Sequence, residues 1–193
     1  MIKRIASLFV ALFVAIGTLA AQDVVVDQVK FNKTRDDWIQ IEMRLTCNGN
    51  SAPDARNPKF LENIKVKPYI AYPKGDSADE FVYFTSEVEI IAMEQRDKKN
   101  VYFYVPGPIA KRDNLKYPKY VYIELSVNGM ELPPQKGGII GVSNLASLEQ
   151  MKSMTLSGAE ANKDMLLPVY YTQPQYLGSV RDLPVFLRRD PKP

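Results

Sequence analysis

Hydrophobic and polar residues alternate most regularly between Tyr120 and Val127. A repeat of two residues places successive side chains on opposite faces of a β-strand, so one face of this segment is expected to be buried. Asn128-Gly129 follows at once, and this dipeptide favours the positive φ angles of a tight hairpin turn. The pattern predicts a central strand of an antiparallel sheet, followed by a short return arm that ends at Pro133-Pro134.

Similar patterns recur through the first two thirds of the chain, separated by turn residues. Pro68 lies inside one of these segments and predicts either an edge position or a bulge there. With the strand at Tyr120 they predict a mainly β protein, an immunoglobulin-like antiparallel β-sandwich over residues 23–140. The segments are Val24–Phe31, Trp38–Thr46, Ile64–Tyr72, Phe81–Phe84, Glu87–Met93 and Val101–Val105.

The pattern changes after residue 140. Leu145, Leu148 and Met151 fall on one helical stripe, which predicts a short amphipathic helix with Ser143 as its N-cap. The remaining chain contains several prolines and aromatic residues and predicts an extended arm. This arm either packs back on the sandwich or pairs with the sheet edge of another copy, and packing back is the simpler interpretation. Residues 141–193 are therefore expected to form a C-terminal extension that contains a short helix.

The N-terminus is typical of a secretory signal peptide. Lys3 and Arg4 precede an almost wholly apolar run from Ile5 to Leu19, and small residues lead up to Ala21. The run holds fewer than the ~20 residues needed to cross a bilayer, although a retained N-terminal anchor is the alternative. We therefore predict a signal peptide over residues 1–21, export, and no transmembrane span in the mature chain.

Charge and residue usage exclude several classes of function. The formal net charge is +3 and falls by two when Lys3 and Arg4 are removed, which gives little attraction for nucleic acid. The chain has no His, the commonest general base and metal ligand. It has one Cys, Cys47, so it forms no internal disulfide, and a buried, idle thiol is expected. No cofactor or metal site is predicted.

Catalytic motifs are weak. Without His, a serine nucleophile would need Lys or a carboxylate as its base, and the sequence offers no plausible setting for one. Asp36-Asp37 and Asp79-Glu80 are adjacent acids, which are more typical of solvated loops than of the paired carboxylates of a glycosidase. We predict no catalytic residues. An enzyme acting on mucin glycans or cell-wall polymers would need two carboxylates brought together from distant loops.

Tyrosine residues provide the candidate interaction surface. Tyrosine offers rigid contact area with a polar tip, and a tyrosine-covered sheet face binds sugar rings or a partner protein. The simpler alternative is aromatic pairing between strands that stabilises the sheet. The candidates on strands and on the C-terminal arm are Tyr102, Tyr104, Tyr120, Tyr122, Tyr170, Tyr171 and Tyr176.

Three segments carry a resemblance to known proteins. They are the first ten residues, Trp38–Met43 and Asn114–Tyr120. On these the whole chain resembles small exported proteins of a mucin-dwelling verrucomicrobial gut bacterium, encoded with components of a type IV pilus-like system. The resemblance implies an immunoglobulin-like domain and a non-enzymatic role. A pilin precursor carries a Gly before its processing site and a Glu near the start of its apolar helix. Here Lys3-Arg4-Ile5 leads into apolar residues and no Glu precedes Glu42, so an accessory factor fits better than a pilin subunit.

These observations predict a non-enzymatic interaction protein. It is expected to be associated with the outer membrane, in the periplasm or at the cell surface. Its expected partners are proteins of a pilus-like or outer-membrane assembly, with self-association as a further option and no nucleic acid. The alternative is a carbohydrate-binding module that uses an exposed tyrosine sheet face.

Overall fold

The computed structural model describes residues 22–75 and 80–188, so the predicted signal peptide at 1–21 lies outside the described residues. Within them the chain forms eleven strands, two α-helices and several short 3-10 turns. The strands are β1 (Val24–Lys33), β2 (Ile39–Cys47), β3 (Phe60–Pro73), β4 (Phe81–Thr85), β5 (Val88–Glu94), β6 (Lys98–Val105), β7 (Tyr120–Val127), β8 (Met130–Glu131), β9 (Ile139–Ile140), β10 (Leu167–Pro168) and β11 (Phe186–Leu187). The helices are α1 (Gly107–Arg112) and α2 (Leu145–Gly158).

The strands build two antiparallel sheets that form a β-sandwich. The first sheet has the strand order β1-β2-β6-β10. The second has the order β11-β5-β3-β7-β8, with β4 also paired to β3 and β9 to β7. Apolar side chains from both sheets share one buried core. The predicted mainly β sandwich is confirmed.

The alternation seen in the sequence places the expected side chains in that core. Full burial of one such side chain contributes about 1.5–3 kcal/mol relative to leaving it in water. Cys47 ends β2 as a buried free thiol. The buried residues of β2 and β7 with this spacing are Ile39, Ile41, Met43, Leu45, Val121, Ile123, Leu125 and Val127.

Strand β3 lies in the middle of the second sheet, so the predicted edge position for Pro68 is wrong. Pro68 faces Ile123 of β7 in the register. On its other flank, β3 pairs with β5 as far as Val66 and with β4 from Tyr69 onward. Pro68 therefore sits beside a gap between two partner strands. A residue without an N–H donor fits beside such a gap.

The predicted hairpin after β7 is confirmed. Asn128 has φ 50° and Gly129 has φ 82°, the left-handed conformations that this turn requires. The turn leads into β8, which pairs with the end of β7. β7 is flanked by β3 along its length and by β8 and β9 at its two ends, so it is an interior strand.

Helix α2 covers part of the outer face of the second sheet. Leu148 and Met151 are buried as predicted, whereas Leu145 is 64% exposed. The N-cap is Asn144, not Ser143, because the Asn144 side chain accepts a hydrogen bond from the Ser147 backbone N–H at 2.9 Å. No helix in the described part of the chain is long and apolar enough to span a membrane.

Residues 165–188, the C-terminal segment, pack on their own sandwich. β10 pairs with β6 in the first sheet, and β11 pairs with β5 in the second. The segment therefore adds a short strand to an edge of each sheet. The structure thus favours packing within one copy over pairing with a second copy.

Candidate interaction surfaces

Tyr102 and Tyr104 share the outer face of the first sheet, but that face is not exposed. Their side chains are 1% and 0% exposed because the C-terminal segment lies across them. The Tyr104 hydroxyl donates to the Leu177 carbonyl at 2.7 Å. The Tyr102 hydroxyl lies 3.4 Å from the Arg181 carbonyl and amide nitrogen. The prediction of an exposed tyrosine face is wrong for this pair.

Ring stacking and burial also hold the C-terminal segment over Tyr102 and Tyr104. The rings of Trp38 and Tyr176 stack with centroids 4.4 Å apart and planes 10° from parallel. Tyr176 is itself half-buried. Burial raises the pKa of Tyr104 to about 12, against the weaker, opposing effect of its hydrogen bond with Gln40. The phenol rings thus attach the segment to the sheet and are not open to a ligand.

Tyr122 lies on the outer face of the second sheet beside Tyr69, and α2 covers both. The two rings stack with centroids 5.9 Å apart, and Tyr122 is 1% exposed. The exposed face predicted for Tyr122 is therefore also wrong. Lys152 reaches from α2 over both rings, with its Nζ 5.8 and 5.7 Å from their centroids.

Two carboxylates complete what we call the lysine cluster: Tyr69, Tyr122, Glu124, Glu131 and Lys152. The Lys152 Nζ lies 2.6 Å from a Glu124 oxygen and 2.9 Å from a Glu131 oxygen. The Tyr69 hydroxyl donates to Glu124 at 3.2 Å, and the Tyr122 hydroxyl donates to Glu131 at 3.5 Å. The cluster attaches α2 to the sheet.

The environment shifts the pKa values of three members of the lysine cluster. Burial opposes the charged form of Lys152, but its hydrogen bonds and charge interactions with Glu124 and Glu131 outweigh burial and raise its pKa. Burial, followed by the nearby glutamate charges, raises the pKa values of Tyr69 and Tyr122. Lysine remains charged and both phenols remain neutral at neutral pH, so the cluster is suited to structure and not to proton transfer.

Tyr120 shares the outer face of the second sheet with Tyr122 and is half-buried. It borders a cavity of about 380 Å³ beneath α2 that is also lined by Tyr83 and Met154. Its ring lies 5.5 Å from that of Phe81. The tyrosine pairs of β6 and β7 thus belong to outer faces of different sheets, and the fold does not join them into one surface.

Tyr170 and Tyr171 lie near the far edge of the second sheet. Tyr170 is half-buried against Phe186, with ring centroids 5.4 Å apart. The Arg188 guanidinium lies 5.5 Å above the Tyr170 ring. Tyr171 is 46% exposed. Of the seven tyrosine candidates, Tyr171 presents the largest open surface.

Exposed apolar side chains lie along the β5–β11 pair, and one of them, Leu187, lines the same cleft as Tyr171. The Ile91 amide donates to the Val185 carbonyl at 2.9 Å, so these residues are neighbours. Val185 and Leu187 flank the inward-packed Phe186 and point outward. The exposed fractions are 45% for Ile91, 66% for Val185 and 39% for Leu187. We call Ile91, Tyr171, Val185 and Leu187 the edge patch.

A cleft of about 550 Å³ adjoins the edge patch, which contributes Tyr171 and Leu187 to its lining. Leu166, Leu167 and Pro168 contribute apolar surface. The carboxylates that line it are Glu87, Glu89 and Asp164, and Glu87 also forms an ion pair with Lys65 at 3.1 Å. Apolar contact area beside negative charge favours a ligand that carries both apolar and basic side chains.

Of the acidic residues singled out by the sequence, Asp36 and Asp37 each lie near a cation. Asp37 lies 3.1 Å from Lys111 Nζ, and Asp36 lies 3.8 Å from Arg35 Nε, on a surface turn. Asp79 lies outside the described residues. No three His, Cys, Asp or Glu side chains of residues 22–75 and 80–188 converge as metal ligands would.

Sequence analysis did not identify Ile91, Val185 and Leu187 as surface residues. The one local signal is Ile90-Ile91, two adjacent apolar residues that break the alternation of β5. The structure buries Ile90 and exposes Ile91. Val185 and Leu187 come next to β5 only because the C-terminal segment packs there. A short stretch of sequence does not reveal that packing.

Comparisons with known proteins reveal a structural neighbour and no sequence family. No protein-family model matches the chain, and comparison with curated proteins finds no match. A crystal structure from Akkermansia muciniphila is similar, with a TM-score of 0.62 and 16% sequence identity. The match covers 87% of this chain and 94% of that chain. At this identity the similarity shows the fold alone. The similar structure is from a verrucomicrobial bacterium, the group indicated by the sequence resemblance.

Proposed function

We propose that this protein is an exported, non-enzymatic interaction protein whose partner binds the edge patch. The observation that carries the proposal is the exposed apolar surface of Ile91, Val185 and Leu187 along the terminal pair of strands, β5 and β11, with Tyr171 beside Leu187 in the adjoining cleft. Single exposed apolar residues are ordinary, whereas contiguous ones at a sheet edge are typical of a binding surface.

The edge patch and the adjoining cleft favour an extended partner segment. β11 is the terminal strand of the second sheet, so its outer side has no partner strand in the described chain. A segment added along this edge gains main-chain hydrogen bonds, and its side chains meet the apolar patch. Glu87, Glu89 and Asp164 in the cleft favour basic residues nearby. The proposed partner is a protein with an extended segment of apolar and basic residues.

We also infer an immunoglobulin-like connectivity for the sandwich. β4 and β5 occupy one edge of β3 and count as one interrupted strand. The chain then places its first, second and fifth strands in one sheet and its third, fourth and sixth in the other. The separation of strands one, two and five from strands three and six, with a hairpin after the sixth, is typical of such domains, whereas the fourth strand here pairs with the third. An immunoglobulin-like connectivity is what the resemblance to exported proteins encoded with pilus-like systems implies. We therefore propose a role in a pilus-like apparatus at the cell surface.

The observed burial disfavours the alternative of sugar binding on a tyrosine sheet face. Tyr102, Tyr104 and Tyr122 are covered by other parts of the chain. A sugar ring needs an open aromatic face for stacking, so α2 or the C-terminal segment would first have to detach. The absence of catalytic activity is part of the proposal. A turnover of mucin glycans or peptidoglycan by the purified protein would refute that part.

Crosslinking in intact producing cells tests the proposal. We expect the full chain to capture a protein of the cell envelope, and Ile91→Asp with Val185→Asp to abolish its capture, because charges would enter the apolar contact. Met130→Asp is the matched control, since Met130 is 71% exposed on the opposite edge of the same sheet. Equal capture by the edge-patch variant and the control would refute this binding site.

A further inference from the structure

The outer face of the first sheet is polar on two neighbouring rows. One row pairs Asn32 of β1 with Gln40 of β2 and Tyr104 of β6. The next row pairs Lys30, Glu42 and Tyr102 in the same way. The C-terminal segment covers the β6 side of these rows, whereas Asn32 is exposed and Lys30 half-buried. Polar side chains therefore follow the border between β1 and the C-terminal segment, where the sheet surface meets the side of the segment, and we call this border the polar step.

Gln40 builds the floor of this step. It is 3% exposed, and its Nε2 donates to the Leu177 carbonyl at 2.8 Å and to the Ser179 carbonyl at 3.2 Å. Its Oε1 accepts from Asn32 Nδ2 at 3.1 Å. The Thr34 hydroxyl also donates to the Tyr176 carbonyl, at 2.9 Å. These bonds fix the position of the segment, so the shape of the step is set by buried contacts.

The step borders an open hollow of about 510 Å³, which we call the polar hollow. Four cations, Lys30, Lys33, Arg35 and Arg181, line it around Asn32 and Gln40. Glu42 is the carboxylate that lines it, and it lies opposite Lys30 in the β1–β2 register. Arg35 also has a weak, exposed ion pair with Asp36 at 3.8 Å. Positive charge exceeds negative charge in the lining, so an anionic ligand is favoured.

We propose that the polar hollow binds an acidic saccharide, one that carries sulfate or carboxylate groups. Lysine and arginine side chains form charge-assisted hydrogen bonds with such groups, while amide and hydroxyl side chains match sugar hydroxyls. The volume falls within the range of small-ligand sites, roughly 300–1,000 Å³. This site lies on the first sheet, at a different place from the edge patch on the second.

The side chains that line the polar hollow disfavour single-stranded nucleic acid and peptides as its ligands. Single-stranded nucleic acid is held by aromatic side chains on which its bases stack, and the aromatic ring in this lining, Tyr102, is 1% exposed. A peptide is anchored by apolar side chains in apolar pockets. Lysine, arginine, amide and hydroxyl groups predominate here instead.

Binding of a sulfated chondroitin tetrasaccharide to the full chain, measured by calorimetry, tests the inference. We expect saturable binding that weakens as salt is added, and no binding of the neutral cellotetraose. Lys33→Ala with Arg181→Ala should weaken the affinity about tenfold or more, because two exposed charged contacts are lost. Both side chains are exposed, so the fold should be retained.

Lys59→Ala with Lys136→Ala is the matched control, because it removes two exposed positive charges elsewhere on the surface. The inference predicts that this control binds the tetrasaccharide as the unmodified protein does. An equal loss in the control would show non-specific attraction and refute the site. Absence of binding to the sulfated sugar, or equally tight binding of a DNA oligonucleotide or a polyglutamate peptide, would refute it as well.

Discussion

At the scale of single residues, the lysine cluster shows how a charge is accommodated under a helix. Lys152 is 14% exposed, and Glu124 17% exposed. Removing water from a charge is unfavourable unless an opposite charge and hydrogen bonds replace it. Two carboxylates and two phenol rings supply that replacement. The cluster therefore determines where α2 sits on the second sheet.

Lys152→Ala should lower the free energy of unfolding by about 1–3 kcal/mol, because Glu124 would stay largely buried without its cation. The estimate stays below that for a fully buried pair because Glu131 is 48% exposed. Urea unfolding measures the change. Lys163→Ala is the control: its ion pair with Glu160 is exposed, and we expect a change below about 0.5 kcal/mol. Equal losses in both variants would contradict a structural role for the cluster.

Stability should also fall at alkaline pH. Burial raises the pKa values of Tyr69, Tyr104 and Tyr122, and glutamate contacts outweigh burial to raise that of Lys152. Above the ordinary values of 10.0 and 10.5 the unfolded chain loses these protons while the folded protein keeps them. The folded state then binds more protons, so the free energy of unfolding decreases as pH rises.

A urea series measures this pH dependence. We expect nearly constant stability between about pH 7 and 9 and a decrease above about pH 10. A stability that stays level or rises above pH 10 would contradict the assignment of these groups.

At the scale of elements, alternation predicted the strands better than it predicted their neighbours. The core positions of β2 and β7 follow directly from a two-residue period, and Asn128-Gly129 identifies the hairpin. The edge position suggested by Pro68 is wrong. An interior strand accepts this proline because it lies beside the gap between β4 and β5. Those two strands are distant in sequence from β7, which pairs with the other flank of β3. Local patterns do not encode such pairings.

The same limit applies to the tyrosine candidates. The structure places Tyr102 with Tyr104 and Tyr120 with Tyr122 on common strand faces, as a two-residue period requires. Alternation could not show which faces are covered, because the covers come from α2 and from residues 165–188. The edge patch depends on the same docking. Strand content was therefore predictable, whereas the exposed surface was not.

The free edge of β1 provides a test at this scale. The Gln135 side chain accepts from the Val26 N–H at 2.5 Å and donates to the Val24 carbonyl at 2.9 Å, replacing a partner strand. Gln135→Ala would leave both buried groups unpaired, and we expect a loss of about 1–3 kcal/mol. Thermal or urea unfolding measures it. Gln28→Ala, on the exposed part of β1, should change stability by less than about 0.5 kcal/mol. Similar losses would contradict the capping role.

At the scale of the whole molecule, the C-terminal segment is a structural part of the sandwich. It adds β10 to the first sheet and β11 to the second, and it buries the tyrosines of β6 on the way. It also forms one wall of the polar hollow and supplies Tyr171, Val185 and Leu187 to the edge patch. Both proposed binding surfaces therefore depend on this segment being docked.

Tyr176→Ala tests that docking. The substitution removes the ring stacked on Trp38, and we expect a loss of about 1–3 kcal/mol of unfolding free energy. Tyr117→Ala is the matched control, because Tyr117 is 76% exposed and its loss should have little effect. Hydrogen exchange should show faster exchange around residues 176–182 in the Tyr176 variant alone. Unchanged exchange there would contradict the cover described for the first sheet.

The most direct test of the central claim places a photocrosslinking amino acid at position 185 in producing cells, with position 130 as the comparison. The account predicts that irradiation at position 185 joins the protein to an envelope protein. The joined peptide should come from an extended segment with apolar and basic residues. Position 130, on the opposite sheet edge, should give no such product. Equal products at both positions, or crosslinks to glycan alone at position 185, would contradict the claim.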